Sequence, residues 1–559
     1  MKLATQKRAS TLFLLGLFVT SLLITPLSAD PVNIPKFVSL VFFSSLCFGI
    51  CISDIKLKGL RQTGLFGVAT VIFIIGTTVV TVLSDSNAAT QLYGITGRNI
   101  GLLTLIALAL FMTVGFLLTS ENLNRQLIST LIAITLISAV YGFIQFMNLD
   151  PLTWDSDYGR ILGFFGNPNF QSAMLGLGGI ALVGLIVTGN HSTQRLLLMI
   201  TFIVLILVSM LISNSSQGFL VLLIGTTFIL YVKFLKVLPR KVHGLFMLIL
   251  LFGPLTAYLS LVKYFPTSLL ADIGSINQRA VYWGVGFRIW QQNPIFGTGL
   301  DTFGESFRYQ RNLKDIQAVN GTLTNSAHNY FIDVLANGGM VLFLPVLFLM
   351  LTVIRGIYRA IINVEKITSP DITIVGIWFG LFTQALISPN QIALMVWFWV
   401  CTGVVAGLTR GIHQPQELKE NDKTRILAKK RNKGIIQLEA SQILTSILSI
   451  IISLVISLPP YIASVRYLSA LKSGQVEKIY EAALIFPMDV TRNVAIIEAF
   501  SKNQFYSQAH SLALITVEKY PNSFSAWAQL YGIVNALPEE KTLALLNMRR
   551  LDPNKPQLP

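Results

Sequence analysis

Residues Leu196–Ser213 read LLLMITFIVLILVSMLIS, eighteen positions without a charge. A charged group inside hydrocarbon costs several kcal/mol, so a run of about 20 apolar residues free of charge is the mark of a membrane-spanning helix. Similar runs lie on both sides of this one and recur to about residue 459. We place spans near 11–28, 34–52, 64–83, 100–119, 127–147, 169–188, 196–213, 218–235, 244–262, 329–353, 372–388, 392–409 and 441–459, thirteen in all. The expected fold class is all-α, a polytopic helical membrane protein.

Composition agrees. Of 559 residues, 53% are hydrophobic and only 12% charged, with 36 Phe, which places the chain in the membrane class. A net charge of +16 raises the question of nucleic acid, but that reading requires a basic patch or stripe with a recognition motif, and neither is present. Lys and Arg instead gather in alternate loops. With the N-terminus cytoplasmic, 23 basic residues fall inside, against nine outside up to residue 459, the asymmetry that sets orientation. The largest inside group runs from Arg410 to Lys433. The odd span count then puts the last hundred residues outside. Cys47, Cys51 and Cys401 lie in apolar segments without ligand spacing and read as small core residues. The segment Thr11–Ser28 follows Lys2, Lys7 and Arg8 and ends in Pro-Leu-Ser-Ala-Asp, a signal-peptide pattern. Its length and the many later spans favour a retained first helix.

Two regions depart from the run of spans. An outside loop from about Lys263 to Ala327 is too long for a mere connection, and such loops are usually functional. From Tyr461 onward the sequence becomes amphipathic and mixed in charge. Pro487, Pro521 and Pro553 recur in similar contexts 34 and 32 residues apart, the period of tetratricopeptide-like helix pairs. An irregular helical bundle with chance prolines is the alternative. The expected domains are therefore 1–459 in the membrane and 460–559 outside it.

Chemistry is expected on the outer face. Arginine holds phosphate through a rigid fork that never deprotonates. The outer loops offer Arg98 in Tyr-Gly-Ile-Thr-Gly-Arg-Asn, Arg160 in Tyr-Gly-Arg-Ile-Leu-Gly, and Arg279 with Arg288 flanking Trp283. Each alone reads as a loop brace or a snorkelling side chain; four on one face point to an anionic substrate. The stretch Gly163–Asn169, Gly-Phe-Phe-Gly-Asn-Pro-Asn, opens a span with turn formers and an Asn suited to capping, and a helix N-terminus can also receive an anion. His328, in Asn-Ser-Ala-His-Asn-Tyr where the long loop ends, is the general-base candidate beside the membrane. A structural histidine is the competing reading. Asp150, Asp155, Asp157, Asp301 and Glu305 form no paired-ligand motif, Asp155-Ser156-Asp157 reads as a solvated loop, and no phosphate-cradling Walker loop occurs. No metal and no cofactor are expected.

Together, Arg160–Asn169, Arg279-Ala-Val-Tyr-Trp283 running to Asn293-Pro-Ile-Phe-Gly-Thr-Gly-Leu300, and His328-Asn-Tyr-Phe with Asn337-Gly-Gly resemble the O-antigen ligase superfamily over roughly residues 90–410. The resemblance implies a bacterial inner-membrane, metal-independent glycosyltransferase that moves a glycan from undecaprenyl diphosphate to an acceptor hydroxyl on lipid A core, a growing polysaccharide or a protein. It implies catalytic roles for His328 and Arg279, and diphosphate binding by Arg98, Arg160, Arg288 and Asn169. The family's ligases often show His-Ser after the loop, where this chain has His328-Asn329. Membrane lipids, and a protein partner at the C-terminal repeats, are the further expected partners. The rival readings are a transporter or flippase for a lipid-linked glycan and a polysaccharide-export scaffold. Mid-membrane polar groups and inverted repeats, which mark transporters, are not evident here.

Overall fold

The computed structural model describes residues 3–54, 63–152, 161–234, 273–362, 367–411 and 440–555, and the regular structure among them is helical. The first part carries α1 (Leu3–Leu22), α2 (Asn33–Asp54), α3 (Gly64–Leu83), short α4 (Ala88–Tyr93), α5 (Leu102–Leu118), α6 (Glu121–Phe146), α7 (Pro168–Thr188), α8 (Thr193–Ile212) and α9 (Gln217–Phe234). Then follow α10 (Ile273–Gln292), α11 (Phe303–Gln310), α12 (Leu313–Ala318), α13 (Tyr330–Ile362), α14 (Ser369–Ile387), α15 (Ile392–Gly411) and α16 (Ala440–Ser473). The chain closes with α17 (Val476–Leu484), α18 (Val490–Lys502), α19 (Tyr506–Lys519), α20 (Phe524–Gly532) and α21 (Pro538–Leu551). Among the described residues, nine helices are long and apolar enough to cross a membrane, and Leu102–Leu118 and Ile392–Leu408 are shorter apolar helices. All eleven, and α1, coincide with expected spans; the span expected at 244–262 lies outside the described residues.

Between apolar helices in lipid there is little hydrophobic drive, so close packing must hold them together. Small residues permit it. A Cβ added at Gly176 would stand 2.4 Å from the Gly218 carbonyl oxygen, and one at Gly218 would stand 2.1 Å from that of Ser172, so α7 and α9 touch backbone to backbone. Fully buried Phe13, Phe37, Phe73, Phe111 and Trp397 fill the centre, drawn from α1, α2, α3, α5 and α15.

The connections sort onto two faces. On one, Ser369 Oγ donates to Thr188 O at 2.9 Å and Asn124 Nδ2 to Asp371 at 2.7 Å, close to Arg125. On the other, Asn33 Nδ2 donates to Gly97 O at 2.7 Å, Ser84 Oγ lies 3.4 Å from Thr298 O, and Asp30 N lies 3.3 Å from Ser464 Oγ. This second face carries the loop after α10 and the C-terminal helices. Lys36 closes the end of α1 there, its buried ammonium donating to Ser21 O at 3.1 Å and Leu23 O at 2.7 Å, as a cation at a helix C-terminus should.

Three boundaries differ from expectation. Helix α1 ends at Leu22 rather than Ser28, short of Pro26. Helix α13 is broken at Gly339, where φ is 55° and ψ −156°, so the unbroken run begins at Met340 rather than near 329. Helix α16 passes unbroken through Pro459 and Pro460, so the boundary expected at 459/460 falls inside a helix. That helix changes cores along its length: Ile450 and Ile456 pack on the membrane core, Tyr467 on the C-terminal one. In α17–α21, Pro487 and Pro521 fall between helices and Pro553 follows the last.

Candidate active site

The break in α13 is made by sequence forty residues upstream. Thr298 N and Gly299 N donate to Ala336 O and Asn337 O at 3.2 and 2.9 Å, while Met340 N and Val341 N donate to Pro294 O and Ile295 O at 2.9 and 3.0 Å. The Asn293–Leu300 stretch thus supplies the backbone partners that the broken helix lacks. The approach requires glycine on both sides: a Cβ at Gly339 would stand 2.4 Å from Ile295 O, and one at Gly297 2.4 Å from the Asn337 carbonyl carbon. Gln91 then clamps Leu300, its side chain donating to the carbonyl at 3.0 Å and accepting from the amide at 2.7 Å.

The short first segment of α13 places His328 just before its N-terminus. Asp333 folds back on the turn, accepting from Ser326 Oγ at 2.6 Å and from Ala327 N at 2.7 Å. Asn329 caps the helix by accepting from Phe331 N and Ile332 N, and donates to Leu386 O at 3.0 Å. His328 itself sits in the left-handed region at φ 55°, with its ring 5.3 Å from that of Tyr282 on α10. Burial, then the positive charges of Arg279 and Arg98, push its pKa down to about 3. The imidazole is therefore neutral at physiological pH and holds an open lone pair.

The two arginines beside it differ in what they face. Arg98 pairs with Asp301 at 3.3 Å and Asp333 at 3.8 Å and donates to Asn325 O; its charge is compensated. Arg279 has no carboxylate partner among the described residues, its Nε makes no hydrogen bond, and burial pulls its pKa below the usual guanidinium value. A half-buried cation without a counter-ion is a ready place for an anion.

The other expected residues do not join this pair. Arg288 lies nine residues beyond Arg279 on the same helix, about two and a half turns and so on the opposite side, where it pairs with Asp315 and lies 3.3 Å from Gln310 O. Four arginines therefore do not converge. Asn169 accepts from Ser215 Oγ at 2.7 Å, tying α7 to the α8–α9 turn, and the cap of α7 is Asn167 rather than Asn169. Arg160, Asp155 and Asp157 lie outside the described residues. Tyr282 and Asp333 join the site without having stood out as candidates in the sequence. The second was legible as a lone acid in an apolar run, a feature that usually has a partner and a purpose.

Glu305, on α11 beside the loop, has its pKa raised to about 7 by burial. A cavity of about 30 Å³ lies under Arg98, lined by Asp301, Asp333, Asn337 and Tyr330, and the buried Tyr330 hydroxyl finds no partner among the described residues. That is room for a water or two.

No curated protein matches the chain. The family model described as O-Antigen ligase matches residues 169–347. The matched stretch runs from the start of α7 across Arg279 and His328 to the break in α13. The match covers 179 of the 559 residues, so this segment is similar to the O-antigen ligase family; it includes Arg279 and His328, whereas Arg98 lies outside it.

Proposed function

We propose that this membrane glycosyltransferase moves a glycan from undecaprenyl diphosphate to an acceptor hydroxyl at the Arg279–His328 pair. The observation that carries the reading is the half-buried Arg279 guanidinium, without a carboxylate partner among the described residues and with its Nε unbonded, beside a neutral imidazole. Arg279 holds the diphosphate, whose negative charge offsets the arginine fields that depress His328. The imidazole then becomes a stronger base as the donor binds. It takes the proton of the acceptor hydroxyl while the oxygen attacks the anomeric carbon, and the sugar–phosphate C–O bond breaks to release lipid diphosphate. Charge neutralisation, a base and alignment are sufficient for so good a leaving group. Arg98 acts as a positioning residue through Asp301 and Asp333. Arg160 is a further proposed diphosphate ligand, whereas Arg288 and Asn169, engaged with Asp315 and Ser215, do not hold the donor.

The reaction face is the periplasmic one, since the site lies on the face opposite Arg125 and Arg195. The C-terminal helices lie on that same face, with the proline spacing of tetratricopeptide-like repeats, and present a surface to a protein or polysaccharide acceptor.

The test is reconstitution in liposomes with an undecaprenyl diphosphate glycan and lipid, polysaccharide and protein acceptors. His328→Ala and Arg279→Ala are each expected to lower transfer by about 100-fold or more with the protein still folded. Undiminished transfer in both overturns the assignment, and passage of glycan across the bilayer without transfer marks a transporter.

A further inference from the structure

Where the C-terminal helices meet the membrane helices, the structure forms a second, open cavity of about 190 Å³. One wall is the Tyr93–Asn99 strip, another the end of α16 around Ser464 and Tyr467, and a third the turn into α18 with Asp489 and Arg492. The same strip borders the candidate active site from its other side: Ile95 N donates to Asp301 at 2.9 Å, and Arg98 pairs with that carboxylate. A single loop separates the two spaces.

Two polar atoms of wall residues, Asn99 Oδ1 and Arg492 Nε, are buried and without hydrogen-bond partners among the described residues. Asn99 is 3% exposed and Arg492 8%, and an unpartnered polar group at such depth is costly to keep. The wall nevertheless offers no free cation. Arg492 gives its Nη2 to Ile485 O at 2.8 Å and Pro487 O at 3.0 Å, and Asp489 lies beside it. Phosphate would find no unbalanced charge here. Tyr93, Tyr467 and Pro460 add flat apolar surface. The volume is below the roughly 300–1,000 Å³ of pockets for drug-sized ligands, the scale of one ring. A neutral ring with one apolar face and a rim of hydroxyls suits this combination.

We propose that the junction cavity binds a neutral sugar residue of the glycan, its ring against Tyr467 and its hydroxyls on Asn99 Oδ1 and Arg492 Nε. The inference rests on the reading of the protein as a glycan transferase and adds to it a sugar site one loop away from the diphosphate.

The full-length protein in detergent, probed by saturation-transfer NMR with N-acetylglucosamine, galactose and rhamnose, tests it. At least one sugar is expected to receive saturation from the wild type. Asn99→Gly removes the acceptor and keeps the left-handed backbone at φ 56°, and Ala495→Trp, at an exposed position on the rim, blocks the opening without touching the polar wall. Each is expected to weaken that sugar's binding by about tenfold or more with an unchanged melting temperature. Absence of binding by all three sugars, or equal binding in Ala495→Trp, overturns the proposal. Inorganic pyrophosphate, titrated separately against Arg279→Ala, reports on the diphosphate reading alone, so the two can fail independently.

Discussion

Arg279 and Arg98 both act on one imidazole, yet among the described residues only Arg98 has carboxylates to answer it. That difference assigns them different work, and sequence could not show it, because both stand in glycine- and aromatic-rich stretches with equal claims. What separates them is Asp333, which lies in a run that hydropathy assigns to the bilayer. His328 carries a measurable consequence. An unfolded histidine binds a proton below about pH 6.5, whereas the folded one stays neutral down to about 3. Between those values the unfolded state binds more protons, so this group's contribution to stability falls as the pH drops. The melting temperature of the wild type should therefore decline from pH 7 to pH 5 by more than that of His328→Gln. Equal declines in thermal scans of the two proteins would show that the imidazole titrates normally.

At the level of elements, the break in α13 is the feature that builds the site. The two motifs Asn293–Leu300 and Asn337-Gly-Gly are each visible in sequence as turn formers, but their pairing is not, since a hydropathy window registers neither φ nor a partner forty residues away. The helices themselves were far more legible. Charge-free runs place the helix axes because the cost of burying charge acts on every residue of a span, while helix ends depend on local backbone chemistry such as Pro26 or the Lys36 ammonium on α1. Gly339 at φ 55° with the Ile295 carbonyl 2.4 Å from any added Cβ should not accept alanine. The backbone strain alone is about 1–3 kcal/mol. Gly339→Ala is expected to lower the melting temperature and slow transfer together, and a variant with wild-type values for both would show that the docking of 293–299 is dispensable.

Across the whole molecule, the C-terminal helices are locked to the site's own loop. Arg311, at the end of α11, meets Asp552 at 2.5 Å, Arg308 approaches the same carboxylate at 3.7 Å, and Asn554 Nδ2 donates to Arg311 O at 2.9 Å. Arg311 and Asp552 are both buried. Removing one partner of such a pair costs about 3–5 kcal/mol, whereas an apolar replacement of both is close to neutral. Asp552→Ala is therefore expected to speed proteolysis of the C-terminal helices, and Arg311→Met with Asp552→Leu to restore resistance. Cleavage of Asp552→Ala at the wild-type rate would mean the contact does not hold them. The change of character near 460 was legible as composition. The continuous helix through it was not, because paired prolines ordinarily signal an end.

Arg279 is the cation that waits for an anion, and the affinity of the purified protein for undecaprenyl diphosphate tests this most directly. A charge-assisted hydrogen bond contributes about 1.5–3 kcal/mol, so Arg279→Ala should weaken binding roughly ten- to a hundredfold, while Arg288→Ala, already paired with Asp315 on the far side of α10, should leave it within about twofold. Equal affinity in wild type and Arg279→Ala would contradict the account.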